Sequence, residues 1–204
     1  MPFLSPKKGY NIEYLSHDDK YCYPGTDVLI NKFDIRDPIQ FQKLELSIVP
    51  LRLIQLNKQP HPKPITSDYL CHIHWFLFQD LFEWAGKYRL NRLYLNNTTF
   101  AYPEYIEKEA EKLFAHLQDQ NDFKDLNKRE FCHELAVFKT ELNIIHPFRD
   151  GNGRCIRKLV EDIAFNAGYL LYFRKFNTNE YIQAMAKSVI DSSDLESLIR
   201  KNIS

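Results

Sequence analysis

Only six glycines occur in 204 residues, and two of them, Gly151 and Gly153, stand two positions apart. They lie in His146-Pro147-Phe148-Arg149-Asp150-Gly151-Asn152-Gly153-Arg154, between two segments whose apolar residues recur at three- and four-residue spacing. The upstream segment carries Phe131, Leu135, Phe138, Leu142 and Ile145. The downstream one carries Ile156, Val160, Ile163 and Ala167 and ends at Gly168. That pattern predicts two amphipathic helices joined by a tight loop whose glycines let backbone approach a ligand closely.

The remainder reads as more helices with one interruption. Asp37-Pro38 opens a helix to about Asn57, carrying Phe41, Leu44, Ile48 and Leu51, and the prolines of Gln59-Pro60-His61-Pro62-Lys63-Pro64 form a stiff connector after it. Thr66 or Ser67 caps a helix expected to run through Leu70, Ile73, Phe76, Leu77, Leu81 and Trp84 to Gly86, with Trp75 and Trp84 in the core. Residues 87–101, aromatic and β-branched around an Asn-rich turn, predict a short β-hairpin. Further helices carry Ile106, Ala110, Leu113, Phe114 and Leu117, then Tyr181, Ile182 and Met185 behind the capping box Asn177-Thr178-Asn179-Glu180, then Leu195, Leu198 and Ile199. The expected fold class is all-α with one small β-hairpin. Residues 1–35 form an irregular arm, and 36–204 one domain with its motif core at 65–190.

Composition sets the bounds. At 44% hydrophobic and 14% aromatic residues the chain is too apolar to be disordered. With 27 Lys+Arg against 27 Asp+Glu it lacks the basic excess of a nucleic-acid binder. No window approaches the ~18 consecutive apolar residues of a membrane span, and no apolar run follows Lys7-Lys8 as in a signal peptide. Cys22, Cys71, Cys132 and Cys155 are widely spaced, as expected of reduced thiols in a cytoplasmic protein.

The loop at 146–154 concentrates the chemistry. Pro147 ends the preceding helix, so His146 sits at a helix terminus beside a rigid turn, and Phe148 anchors the loop to the core. Gly151 and Gly153 let backbone N–H groups converge where the next helix points its N-terminal dipole, which makes an anion cradle. Arg154 and Arg157 share one helix face and add two guanidinium groups for a polyphosphate. Asp150 beside phosphates requires a hard cation, and Mg2+ fits. His146 is the side chain suited to proton abstraction near neutrality. Other constellations are bland. An EF-hand reading fails because Cys155 stands where that loop needs glycine. His72 and His74 face different sides of a helix, as surface or partly buried histidines, and His133-Glu134 lacks the second histidine of a zinc-protease helix.

Residues 146–157 resemble the signature of the Fic (filamentation induced by cAMP) family, His-x-Phe-x-Asp/Glu-Gly-Asn-Gly-Arg-x-x-Arg, at every specified position. Phe82-Glu83-Trp84-Ala85-Gly86-Lys87-Tyr88-Arg89 resembles the segment leading into that family's flap. Tyr105-Ile106-Glu107-Lys108-Glu109 is similar to the helix after it, and Tyr181-Ile182-Gln183-Ala184-Met185 is also family-like. The resemblance covers about 65–200 and, with Tyr23-Pro24-Gly25-Thr26, resembles short bacterial members.

The resemblance implies protein adenylylation: AMP passes from Mg·ATP to a Tyr, Thr or Ser hydroxyl of a target protein, and pyrophosphate is released. It casts His146 as general base and Asp150 as the Mg2+ ligand. Gly151, Asn152 and Gly153 become the phosphate nest, with Arg154 and Arg157 on the outer phosphates. Leu93, Tyr94, Leu95 and Asn96 become the flap strip that clamps the target near the nucleotide, and Tyr181 and Ala184 the adenine side. Gly153 departs from a kinase-like branch that carries Lys there. An inhibitory helix Ser/Thr-x-x-x-Glu-Gly/Asn is matched only in part by Ser192 and Glu196, with Ser197 following. Without such a helix, a small antitoxin-like protein would supply one, and this chain would be the toxin half of a pair. Removal of AMP, transfer of another phosphate-containing group, and a nucleotide-binding interaction module are the alternatives on the same residues. Oligomeric state and target are not readable from the residues.

Overall fold

A computed structural model gives the structure of residues 20–95 and 98–204 together with the strand Ile12–Glu13. Among these, the helices are α1 (Pro38–Leu56), α2 (Ser67–Phe78), α3 (Ile106–Asp119), α4 (Lys128–Ile145), α5 (Asn152–Asn166), α6 (Thr178–Ser188) and α7 (Ser193–Asn202). The all-α expectation holds. Short polar side chains start several of these helices: Asp37 accepts from Gln40 N–H, Thr66 from Tyr69 N–H, Asn127 from Glu130 N–H and Asn177 from Glu180 N–H. Each satisfies a donor that a helix start leaves unpaired.

The core is built on α4, whose Phe131, Leu135, Ala136, Phe138 and Leu142 are at most 1% exposed. It packs against Ile156, Leu159, Val160 and Ile163 of α5 and Leu70, Ile73, Leu77 and Phe78 of α2. Full burial of each such side chain is worth ~1.5–3 kcal/mol, so the two helices flanking the 146–154 loop are firmly held.

Several expectations are corrected. α2 ends at Phe78, not at Gly86. Beyond it, Leu81 and Phe82 N–H both return to Phe78 O, Ala85 N–H to Phe82 O and Lys87 N–H to Trp84 O. Successive turns thus bury Leu81, Phe82 and Ala85 at the spacing a helix would have used, and periodicity does not separate the two solutions. Gly86 closes the series at φ +80°, with its backbone pressed against Trp75 Cβ. Trp75 is 44% exposed and Leu51 61% exposed, so neither belongs to the core. The buried stripe of α1 runs through Phe41, Glu45 and Val49 instead.

The arm is not wholly irregular. β1 (Ile12–Glu13) pairs antiparallel with β2 (Tyr94–Leu95), which pairs antiparallel with β3 (Thr98–Thr99). Tyr94 stands opposite both Glu13 and Thr99. Asn96 of the expected flap strip lies outside the described residues.

Candidate active site

His146 ends α4 in the left-handed conformation, φ +48° and ψ +62°, with its own N–H on Leu142 O. A non-glycine residue adopts this region at a cost, and such strain collects at functional positions. The imidazole is held on both sides. Its ring stacks on Phe100 at 3.9 Å between centroids, and Nδ1 lies 3.1 Å from Asn143 O. A carbonyl only accepts, so Nδ1 carries the proton and Nε2 keeps a free lone pair. Burial lowers the His146 pKa to about 4, helped by the Arg89 guanidinium and opposed by the Asn143 carbonyl and Asp150. At neutral pH the ring is therefore an uncharged base.

Arg89 fixes the ground beneath it. Its side chain is fully enclosed, with Nε donating to His146 O at 2.7 Å, Nη1 to Asn91 O at 2.6 Å and Nη2 to Ala101 O at 2.6 Å and Ile145 O at 3.2 Å. Its backbone N–H adds a bond to Pro147 O at 2.8 Å. One guanidinium thus pins the end of α4 to both ends of the 91–101 segment.

The loop itself is locked by a second histidine. His74, 0% exposed and not at the surface as its sequence position suggested, stacks on Phe148 at 4.0 Å. Its Nδ1 accepts from Gly86 N–H at 2.8 Å, so Nε2 holds the proton and donates to Asp150 O at 3.1 Å. Burial drives its pKa down to about 3. Asn152 closes the turn on both backbone groups of one residue: Oδ1 accepts from Phe148 N–H at 2.9 Å and Nδ2 donates to Phe148 O at 2.7 Å. Its side chain is thereby committed to the loop, and only its backbone N–H is available to a ligand.

α5 then starts on Gly151 at φ +81° with no side chain capping its first N–H groups, unlike the starts of α1, α2, α4 and α6. A methyl group at Gly151 would collide with the Phe78 ring. This helix start is shaped for an anion. Arg157 lies over it, with Nη1 3.2 Å from where a Cβ on Gly153 would stand. Arg154 is drawn to one side: Nη1 donates to Glu45 Oε1 at 2.5 Å, Nη2 to Asp150 Oδ2 at 3.3 Å, and the guanidinium lies 4.6 Å over Phe78.

The loop, Arg154 and Arg157 lie together, with Arg154 turned onto Glu45 and Asp150, and α6 joins them through the Tyr181 hydroxyl, which engages Arg157. Ala184 is buried and lines a cleft of about 310 Å³ between α6 and α7. Leu93 is buried and Tyr94 half-buried. Glu196 is held by His133 at 3.0 Å on the face between α4 and α7, and its ion pairs do not include Arg157. Sequence reasoning missed Glu45, His74 and the role of Arg89. Glu45 did leave a signal, as a lone acid on the apolar stripe between Phe41 and Val49.

The two neutral histidines tie stability to pH. Unfolded, both would titrate near their ordinary value of 6.5. Above that pH neither state binds the protons. Below it the unfolded chain takes up two that the fold refuses, so stability falls by about 2.7 kcal/mol per pH unit down to about pH 4. Urea unfolding at pH 7, 6 and 5 should show the midpoint dropping steeply. A midpoint constant over that range would contradict the burial of both rings.

Comparison with known proteins agrees with this geometry. The Fic/DOC family model matches residues 64–164. The chain is 32% identical over 187 residues to "Probable protein adenylyltransferase Fic" of Escherichia coli K12, covering 91% of this chain and 92% of that one. It is 32% identical over 192 residues to "Protein adenylyltransferase VbhT" of Bartonella schoenbuchensis, of whose length it spans 40%. Among solved structures, the BepC protein of Bartonella tribocorum with bound AMPPNP superposes with a TM-score of 0.82 at 28% identity, over 91% of this chain and 96% of that one. A Fic domain from Bartonella quintana with bound ADP gives 0.85 at 25% identity, over 93% and 96%. Signature loop, helical frame and relatives agree, and the chain belongs to the Fic/DOC family.

Proposed function

We propose that this chain is a protein adenylyltransferase, moving AMP from ATP to a Tyr, Thr or Ser hydroxyl of a target protein and releasing pyrophosphate. The observation that carries the reading is the free Nε2 lone pair of a neutral His146 beside the uncapped, glycine-lined start of α5. The acceptor hydroxyl forms its bond to Pα as its proton passes to His146 Nε2, and the bond from Pα to the bridging oxygen breaks. The backbone N–H groups of Gly151, Asn152 and Gly153 hold the phosphates, with Arg154 and Arg157 on the outer ones. Leu93, Tyr94, Leu95 and Asn96 form the flap strip, and Ala184 and the ring of Tyr181 the adenine side, the Tyr181 hydroxyl being turned onto Arg157. Catalysis is by positioning and electrostatics, without a covalent enzyme intermediate.

Asp150 is the Mg2+ ligand in this reading. Its carboxylate, with 29% of the side chain exposed, lies 3.3 Å from Arg154 Nη2, and no group of three or more metal-ligating side chains forms among the described residues. Mg2+ keeps waters and takes substrate phosphates, so one protein carboxylate suffices. Bound there, it would supply positive charge to the substrate phosphates. Arg154, clamped by Glu45, holds that carboxylate in place.

We further infer a cytoplasmic protein with residues 1–35 as an arm on a 36–204 domain. With Glu196 committed to His133, an inhibitory carboxylate for Arg157 would come from a small separate protein, in a toxin–antitoxin arrangement. Among the described residues no helix is long and apolar enough to cross a membrane. The test is incubation of the purified chain with cell extract and Mg·ATP labelled at the α- or the γ-phosphate. Protein-bound label is expected from the α position alone, as AMP-sized mass increments. Label from the γ position, or from neither, would overturn the assignment.

A further inference from the structure

Lys139 lies on α4 two turns before His146 and is 2% exposed. No carboxylate stands within ion-pair distance of its ammonium among the described residues. Its neighbours are Met185 Sδ at 3.2 Å and the faces of Tyr181 at 5.1 Å and Phe173 at 5.6 Å. A buried ammonium without an anion is costly, and aromatic faces compensate only part of that cost. The Tyr181 hydroxyl engages Lys139 on one side and Arg157 on the other. Arg157 in turn overlies Gly153 in the proposed nest. Glu161, the nearest acid to follow on α5, has its carboxylate bonded to Phe173 N–H at 2.9 Å. The line from Gly153 through Arg157 and Tyr181 to Lys139 thus holds two cations joined by one phenol, with its anion still to come.

We propose that Lys139 is a specificity-determining residue for the outermost phosphate of a nucleoside triphosphate, acting through the Tyr181 hydroxyl on Arg157. The inference rests on the ATP site described above. Against a burial that would raise it, the two cations pull the Tyr181 hydroxyl below the ordinary phenol range, and burial pulls Lys139 below the ordinary lysine range. Held between the two cations, the phenol oxygen orients Arg157 toward the incoming dianion. A triphosphate completes the charge of this line at Arg157, where AMP places no phosphate.

Calorimetric titration of ATP, ADP and AMP, each with Mg2+, into wild type, Lys139→Met and Tyr181→Phe tests the inference. Lys139→Met is expected to weaken ATP about tenfold, the loss of one charge-assisted contact, with AMP changed less than twofold. The nucleotide-free variant should melt higher than wild type, because an unpaired buried charge is gone. Tyr181→Phe keeps the ring and should reproduce most of the ATP loss, and the double variant should lose little more, since both act on one line. An unchanged ratio of ATP to AMP affinity in both single variants overturns the role of Lys139 while the ATP site stands. Equal weakening of all three nucleotides overturns it too, as a packing effect. A wild type that binds none of the three overturns the adenylyltransferase reading and this inference with it.

Discussion

His146→Ala is expected to lower AMP transfer by about 10²–10⁴-fold, while ATP affinity stays within about twofold. The side chain touches the reacting proton and no phosphate, so its loss falls on the chemical step. The fold should survive. The position already ends α4, the ring is replaced by a small side chain, and the backbone bonds from Arg89 to His146 O and Pro147 O remain. Wild-type transfer should also show no loss around pH 6.5 and hold its rate as far toward acid as the fold persists, because the base's pKa lies near 4 rather than 6.5. Single-turnover rates across pH, with ATP binding measured on the same preparations, separate base from binding site. Retained transfer in His146→Ala would mean that another group takes the proton.

Arg89→Met should destabilise the protein by roughly 3–5 kcal/mol. The substitution keeps an unbranched stem and deletes the donors to four carbonyls, at His146, Asn91, Ala101 and Ile145. Left enclosed, those oxygens have no replacement partner, and each carries its own desolvation cost. The melting temperature should fall by roughly 6–20 °C, and transfer should fall even well below it, because the end of α4 is no longer held. Arg89 is itself depressed to about 10 by burial, so it is charged across the physiological range and the result should not depend on pH there. A fall of less than about 2 °C would show that water reaches those carbonyls.

The two helices around the loop, several helix caps and the tight glycine turn were legible because each rests on neighbours in sequence. Asp37 and Asn177 announce helix starts, Pro147 a stop, and Gly151 a turn that no side chain could fill. The end of α2 was not legible, since Leu81, Phe82 and Ala85 bury equally well from a helix or from consecutive turns. Nor were the partners that arrive from far away: Glu45 on Arg154, Arg89 on His146 O, His74 on Asp150 O and β1 beside β2. Sequence marks such residues only as polar side chains misplaced on apolar stripes. Glu45 between Phe41 and Val49, and Lys139 beside Phe138 on the stripe of α4, both carry that mark.

Those distant partners also set when the site comes into being. Glu45 and Arg154 are 109 positions apart, and Arg89 waits 57 positions for the carbonyl of His146. A chain leaving the ribosome exposes α1 and the Arg89 segment long before the loop that needs them, and contacts of such separation close late in folding. The unfinished polypeptide is therefore chemically silent, and the capacity to modify other proteins arises only once α5 has docked.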